Sequence, residues 1–97
     1  MKEVISAEEL KKRIKEVYII DVRESDEYQQ EHIEGAVNIP LGKLIRDASK
    51  GVVPKEKNIV VHCKSGVRGA IALEFLKKKG YSSIQNLEGG FEAWKCL

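Results

Sequence analysis

The chain has 97 residues, of which 42% are hydrophobic and 33% are charged, proportions typical of a globular domain with one apolar core. Its 17 basic and 15 acidic residues are interspersed and leave a formal charge of +2. This balance lacks the basic excess that nucleic acids and anionic membranes attract, so we expect neither as a partner.

Cysteine usage and the first residues narrow the class of protein further. The two cysteines are Cys63 and Cys96, and no residues have the paired spacing of a zinc site. We therefore expect no disulfide, no metal and no cofactor. The first residues lack an apolar signal segment, and no apolar run is long enough to span a bilayer. The sequence predicts one domain over residues 1–97, in the cytoplasm.

Segments typical of strands and helices alternate along the chain. Strands are predicted at 3–5, 17–22, 35–40, 59–61 and 83–87. Helices are predicted after Ser6, with an apolar face of Leu10, Ile14 and Val17, and then at 25–31, 41–48 and 89–94. A further amphipathic helix is predicted between the loop after Cys63 and Gly80. This alternation predicts an α/β fold with a mostly parallel five-stranded sheet and helices on both faces.

The stretch around Cys63 joins the central apolar strand to the clearest amphipathic helix. Cys63 ends the strand, and residues 63–68 are predicted to form a loop. In the helix that follows, Val67, Ile71 and Phe75 recur every four residues, with Leu73 and Leu76 alongside. Backbone N–H groups at such a turn, together with the positive end of the helix dipole, stabilise an anion. A thiol placed there ionises readily, so Cys63 is predicted to be a nucleophile.

A second pair of polar residues is predicted to share the edge of the sheet where Cys63 lies. Asp21 and Arg23 leave another strand at its carboxyl end. Sites in open α/β sheets lie beyond the carboxyl ends of the strands. We therefore expect the chemistry of the protein at this edge.

Three segments that cover most of the chain carry a family resemblance. They are Asp-Val-Arg at 21–23 with Glu-Tyr at 27–28 and His-Ile-Glu-Gly-Ala-Val-Asn-Ile-Pro at 32–40, then Cys-Lys-Ser-Gly-Val-Arg at 63–68, then Leu-Glu-Gly-Gly-Phe-Glu-Ala-Trp at 87–94. Together they resemble the rhodanese domain, the three-layer fold of thiosulfate sulfurtransferases. Glu31 and Gly69 depart from the family pattern, which has glycine and a small hydroxyl residue there. Neither is expected to touch the nucleophile.

The resemblance implies a two-step sulfur transfer. The Cys63 thiolate takes the outer sulfur of a small anionic donor such as thiosulfate, and a persulfide remains on the cysteine. A thiol or cyanide acceptor then removes the sulfur, and a sulfur-accepting protein is an alternative acceptor. Because a thiolate that attacks sulfur has no proton to lose, no general base is required.

The same resemblance implies roles for the residues around the nucleophile. The residues expected to bind substrate are Lys64, Ser65, Gly66, Val67 and Arg68, with the N–H groups of 64–68 holding the transferred sulfur. Asp21 and Arg23 are expected to support the site as a structural pair. His32 is expected to act as a hydrogen-bonding anchor between segments.

Alternative functions on the same fold remain open at this point. Phosphatases and arsenate reductases also use a loop from cysteine to arginine, but those loops are one residue longer than the four residues, 64–67, present here. A non-catalytic binding module is a second alternative, although such domains commonly lack the cysteine. A persulfide carrier for a partner protein shares the chemistry and differs in the acceptor.

Overall fold

A computed structural model describes residues 3–97, and the described chain contains five strands and five α-helices. The strands are β1 (Val4–Ile5), β2 (Tyr18–Asp21), β3 (Val37–Asn38), β4 (Ile59–His62) and β5 (Ile84–Leu87). The helices are α1 (Ala7–Lys12), α2 (Ser25–Gln30), α3 (Leu41–Asp47), α4 (Val67–Lys78) and α5 (Gly90–Lys95), and a 3-10 turn at Ala48–Lys50 follows α3.

The five strands form one sheet in the order β1-β5-β4-β2-β3. All four pairings between neighbouring strands are parallel, as the alternating pattern predicted. β4 lies at the centre, and all its residues are buried, because helices cover both faces of the sheet. The carboxyl end of β4 is therefore the middle of the edge at which the site was expected.

Side chains on the central strands alternate between two cores. Ile20 and Val61 belong to the core that α3 and α4 cover. Ile19 and Val60 belong to the core that α1 and α5 cover. Successive residues of a strand point to opposite faces, so each strand contributes to both layers. The three-layer α/β architecture predicted from the sequence is confirmed.

The buried face of α4 differs from the sequence prediction. Val67 is 69% exposed and Ile71 is 49% exposed, so these two members of the repeat lie on the solvent side, whereas Phe75 packs against the core. The buried residues of the helix are Gly69, Ala72, Leu73 and Leu76, which have the 3–4 spacing of a helix face. The sequence prediction included Leu73 and Leu76 but not Gly69 and Ala72, because glycine and alanine contribute little hydropathy.

The first helix is shorter than its apolar pattern suggested. α1 begins after Ser6, whose hydroxyl accepts the Glu9 N–H at 3.1 Å, and it ends at Lys12. Ile14 and Val17 nevertheless pack against the core that contains Leu10. A turn between α1 and β2 presents these two side chains, so the pattern identified core residues correctly and the helix length wrongly.

The corrected face of α4 generates a stability prediction. Leu76→Ala should lower the free energy of unfolding by about 2–5 kcal/mol, because Leu76 is fully buried and its loss leaves a cavity. Ile71→Ala on the exposed side should cost less than about 1 kcal/mol. Urea denaturation of both variants measures the difference. Equal losses would mean that the four-residue repeat, and not the Leu76 face, packs against the sheet.

Candidate active site

Cys63 lies directly after β4 at the centre of the carboxyl edge. Its side chain is 1% exposed, and its Sγ accepts two backbone hydrogen bonds. The Gly66 N–H donates to Sγ with a nitrogen–sulfur distance of 3.0 Å, and the Gly69 N–H donates at 3.3 Å. Two N–H dipoles that converge on one point form a site that suits an anion. The thiol therefore occupies an anion-binding site made of main chain.

The turn at Gly66 creates this arrangement. Gly66 has φ +116°, a left-handed value that suits glycine, and it is the N-terminal cap of α4. Arg68 therefore lies in the first turn of the helix and not in the loop that the sequence predicted. The first N–H groups of a helix have no partner within it, and the Gly69 N–H is one of them. The helix start thus supplies a donor outside the predicted range of 64–68.

Gly69 contacts Cys63 Sγ, which corrects the expectation drawn from its departure from the family pattern. The lack of a side chain at Gly69 also matters, because a Cβ there would lie 2.2 Å from Asn86 Oδ1. Asn86, on β5, donates from Nδ2 to the Gly66 carbonyl at 3.1 Å. Sequence reasoning missed Asn86, since a buried amide within a strand has no motif of its own. The close fit of Gly69 and Asn86 holds the turn against the sheet.

The start of α5 holds the other side of the loop. The Phe91 N–H donates to the Cys63 carbonyl at 2.7 Å, and the Glu92 N–H donates to the Lys64 carbonyl at 3.1 Å. Gly90 has φ +61°, and a Cβ there would lie 2.5 Å from the Cys63 carbonyl oxygen. The second glycine of the Gly-Gly pair is therefore required both by its backbone conformation and by a close approach of two chain segments.

Asp21 and Arg23 form a buried ion pair beside this loop. The Asp21 carboxylate accepts from Nε and Nη2 of Arg23, the latter at 2.7 Å, and also from the Arg23 backbone N–H at 3.0 Å. Arg23 Nη2 donates to the Glu31 carbonyl at 2.7 Å, and its guanidinium lies 4.4 Å from the centre of the Phe91 ring. The pair joins the end of β2 to the end of α2 and the start of α5.

Glu31, the second departure from the family pattern, adopts a conformation open to any residue. Its φ is −159°, which is extended backbone, so glycine is not needed there. Its carboxylate pairs with Lys95 at 3.4 Å. Glu31 therefore occupies this turn without backbone strain.

His62 precedes Cys63 at the end of β4 and is fully buried. Its Nε2 is 3.6 Å from Asp21 Oδ2, and its Nδ1 is 3.4 Å from the Cys63 carbonyl oxygen. Burial lowers the pKa of His62, and the nearby Asp21 carboxylate only partly opposes that effect. The imidazole is therefore neutral near pH 7, and the charge of Asp21 is balanced by Arg23.

The rim of the site contains the remaining predicted binding residues. The side chains of Lys64, Ser65 and Val67 are exposed. Arg68 is not a free cation, because its guanidinium donates to both carboxylate oxygens of Glu27, at 3.0 and 3.3 Å. The hydrogen bond with Glu27 is the main cause that raises the pKa of Arg68, and the charge of Glu27 adds to it. Glu27 is thus a site residue whose ionic role the sequence did not reveal.

His32 does not join separate segments as expected. It is exposed, its Nδ1 lies 2.8 Å from the carbonyl of Tyr28, and its ring stacks on the Tyr28 ring. Both contacts are with a residue four positions earlier, because His32 follows the end of α2. The contact that does join two segments comes from Tyr28, whose hydroxyl donates to the Ala36 carbonyl at 2.6 Å.

No group of three or more histidine, cysteine or acidic side chains within residues 3–97 could hold a metal ion. Cys96, the other cysteine, is exposed at the end of α5 and free. The same residues include no helix with the length and apolar character needed to cross a membrane.

A parallel α/β sheet with a cysteine held by main-chain N–H groups after its central strand defines a class of thiolate sites. The Rhodanese-like domain family matches this chain over residues 6–96. The chain therefore belongs to the rhodanese-like family, which includes sulfurtransferases.

Three similar proteins illustrate the family. The chain is 35% identical over 92 residues to the thiosulfate sulfurtransferase GlpE of Coxiella burnetii. The matched region covers 95% of this chain and 83% of the relative. A rhodanese-related protein from Thermoplasma volcanium has a TM-score of 0.88 and 35% identity, over 97% of this chain and 91% of that structure. The human single-domain sulfurtransferase TSTD1 has a TM-score of 0.87 and 25% identity, over 98% of this chain and 96% of that structure.

The contact between Gly90 and the active-site loop generates a prediction. Gly90→Ala should lower the free energy of unfolding by more than about 2 kcal/mol and slow the reaction of Cys63, because its Cβ meets main-chain atoms that no side-chain rotation moves. Gly35→Ala is the matched control, since Gly35 has φ +88° but open space around its Cβ position. It should cost only about 1 kcal/mol. Thermal unfolding and thiol alkylation measure both effects, and equal behaviour of the two variants would contradict the close approach.

The ion pair of Glu27 and Arg68 generates a pH prediction. The Arg68 hydrogen bond is the main cause that lowers the pKa of Glu27 from 4.5 to about 2. A lowered folded-state pKa means that the ionised carboxylate stabilises the fold above about pH 4.5 and loses this effect as the pH falls to about 2. At pH 7 the free energy of unfolding of wild type should exceed that of Glu27→Gln by less than about 1 kcal/mol, because the pair is partly exposed.

Denaturation of the two proteins at several pH values measures this difference. The excess free energy of unfolding of wild type should shrink as the pH falls from about 4.5 to about 2, and it should disappear near the lower value. In an Arg68→Gln background, Glu27→Gln should show a much weaker pH dependence, because only the smaller effects of the Glu24 N–H and Arg23 on the pKa of Glu27 remain. A difference that persists unchanged in acid, or in the Arg68→Gln background, would contradict the ion pair.

Proposed function

We propose that this protein is a sulfurtransferase that moves a sulfane sulfur from thiosulfate or a similar anionic donor to a thiol or cyanide through a persulfide on Cys63. The single observation that carries the proposal is the pair of N–H groups, from Gly66 and Gly69, that converge on Cys63 Sγ. Donors in this position stabilise the attacking thiolate without a general base.

The first step is a displacement at sulfur. The electron pair of the Cys63 thiolate forms a bond to the outer sulfur of thiosulfate, and the sulfur–sulfur bond of the donor breaks with its electrons on sulfite. No proton moves. Because His62 is buried and neutral, it supplies no acid or base to this step. The new terminal sulfur carries the negative charge and needs the same kind of N–H donors that held the thiolate.

The second step returns the enzyme to its thiolate state. A thiol or cyanide attacks the terminal sulfur, and the electrons of the persulfide bond return to Cys63 Sγ. The N–H groups at Gly66 and Gly69 then hold the leaving thiolate as they held the attacking one. One main-chain site therefore serves both steps, which suits a reaction in which the sulfur atom is only passed on.

The loop residues divide between the transferred sulfur and the rest of the donor. Gly66 and Val67 contribute main chain at the helix start, next to the nucleophile. Lys64, Ser65 and Arg68 contribute polar side chains at the rim for the oxyanion end of the donor. Asp21 and Arg23 support the site as a brace, through Glu31 and Phe91. We assign no part in the reaction to His32.

Loop length favours sulfur over phosphorus as the atom attacked. Four residues, 64–67, separate Cys63 from Arg68. A transferring phosphoryl group needs donors for three equatorial oxygens. The two N–H groups on Cys63 Sγ suit a single atom better. A persulfide carrier that passes sulfur to a partner protein uses the same first step, and a purely structural binding module would have no use for these donors.

The proposal extends to the setting of the reaction. A single catalytic unit over residues 1–97, in a reducing compartment such as the cytoplasm, keeps Cys63 available as a thiolate. The interspersed charges of the chain give no support to a nucleic acid or membrane partner.

Substitution of each cysteine tests the proposal. Cys63→Ser should abolish thiosulfate:cyanide sulfur transfer and leave the unfolding temperature within a few degrees of wild type, because serine is smaller and keeps the loop bonds. Cys96→Ser is the matched control and should retain full activity, since Cys96 is exposed at the end of α5. Steady-state thiocyanate formation measures both variants.

The same proteins should be assayed for aryl phosphate hydrolysis. We expect no turnover by wild type, because the short loop lacks donors for a phosphoryl group. Residual sulfur transfer in Cys63→Ser would remove the proposed nucleophile. A wild-type protein that hydrolyses the phosphate ester and transfers no sulfur would instead support a phosphatase.

A further inference from the structure

The ion pair at the rim joins two segments that are far apart in the sequence. Arg68 is in the first turn of α4, and Glu27 is on α2, 41 residues earlier. Nη1 and Nη2 of Arg68 each meet one carboxylate oxygen of Glu27, at 3.0 and 3.3 Å. The fork geometry of such a bidentate pair fixes the orientation of the guanidinium. Arg68, the cation on α4 nearest Cys63, is therefore paired with its counter-ion, Glu27.

Glu27 is itself held in position by its own helix. Its Oε1 accepts the Glu24 N–H at 3.0 Å, and the Glu24 side chain completes a capping box. The Arg68 hydrogen bond lowers the pKa of Glu27 to about 2, so the carboxylate is ionised throughout the neutral range. A permanent negative charge thus lies beside the mouth of the site.

The charges around the mouth consequently cancel. Lys64 and Arg68 contribute two positive charges, and Glu27 and Glu24 contribute two negative ones, with Glu24 close enough to act on Arg68. Arg68 still has N–H donors that Glu27 does not use, so it offers hydrogen bonds to an oxyanion without net charge. Such a rim binds a polar donor group but gains little from a second negative charge on the donor.

We propose that Glu27 is a specificity-determining residue that sets the charge of the preferred sulfur donor. Because the Glu27 carboxylate offsets the positive charge of Arg68, the site favours singly charged sulfane donors of the organic thiosulfonate class over the thiosulfate dianion. This inference rests on the proposed sulfur transfer by Cys63. It assigns Glu27 no contact with the sulfur that moves.

The reaction with a thiosulfonate is balanced in the same way as that with thiosulfate. The Cys63 thiolate bonds to the terminal sulfur, and the sulfur–sulfur bond breaks with its electrons on an organic sulfinate. A persulfide anion remains on Cys63, and no oxidant or proton is consumed. The two donors share the attacked atom and the broken bond. They differ by one negative charge and by an organic group in place of one oxygen.

Glu27→Gln tests the proposal, because glutamine removes the charge and keeps an acceptor for Arg68 and for the Glu24 N–H. Thiosulfate and methanethiosulfonate serve as donors, with cyanide as acceptor. The ratio of kcat/KM for thiosulfate to that for methanethiosulfonate should rise by about three- to tenfold in the variant, mainly through a lower KM for thiosulfate. High salt should reduce this rise, since it screens charges at the rim.

Two further variants separate charge from position. Asp26→Asn removes a charge from the same helix at an exposed residue without a contact to Arg68, and its ratio should equal that of wild type. Glu27→Asp keeps the charge and should stay within twofold of wild type, whereas Glu27→Ala should show the same rise as Glu27→Gln. A merely structural role would lower kcat for both donors together and leave the ratio unchanged.

The outcomes distinguish this proposal from the proposed function. If wild type transfers sulfur from both donors and Glu27→Gln leaves their ratio unchanged, the role of Glu27 is wrong and sulfur transfer stands. An equal rise in Asp26→Asn and Glu27→Gln would also overturn it, because the effect would then belong to the whole surface. If wild type transfers sulfur from neither donor, both proposals fail.

Discussion

The structure of the site depends on two backbone N–H groups that converge on one sulfur atom. Gly66 can donate because its left-handed conformation turns the chain sharply after the central strand. Gly69 can donate because it belongs to the first turn of α4, where N–H groups have no partner in the helix. Main-chain donors are fixed by the fold and need no reorganisation when charge appears on sulfur. The chemistry of Cys63 therefore follows from backbone geometry.

Elements packed around the turn keep these donors in place. Asn86 on β5 binds the Gly66 carbonyl, and the start of α5 donates to the carbonyls of Cys63 and Lys64. The buried pair of Asp21 and Arg23 joins the neighbouring strand end to the same region. A buried ion pair contributes little net stability, but removal of one partner leaves an uncompensated charge. The Asp21–Arg23 pair therefore matters to the site through the elements that it joins, and less through its contribution to the free energy of folding.

Features of the fold and the site that have a local sequence signal could be predicted, and features set by contacts between distant residues could not. Apolar strand runs and the Cys63 loop could be predicted, because strand periodicity and turn residues are local signals. The buried face of α4 could be predicted only in part, since Leu73 and Leu76 are apolar but Gly69 and Ala72 pack closely without a hydropathy signal. The pairing of Glu27 with Arg68 also could not, because no spacing rule relates residues on different helices. Long-range side-chain partners are consequently where the structure adds most.

The state of the sulfur on Cys63 provides the most direct test of the whole account. Intact-mass analysis after incubation with thiosulfate, followed by peptide mapping, identifies any sulfur bound to the protein. The account predicts a gain of one sulfur atom, located on the peptide that contains Cys63 and removed by cyanide. No gain of mass, or a sulfur located on Cys96, would contradict it.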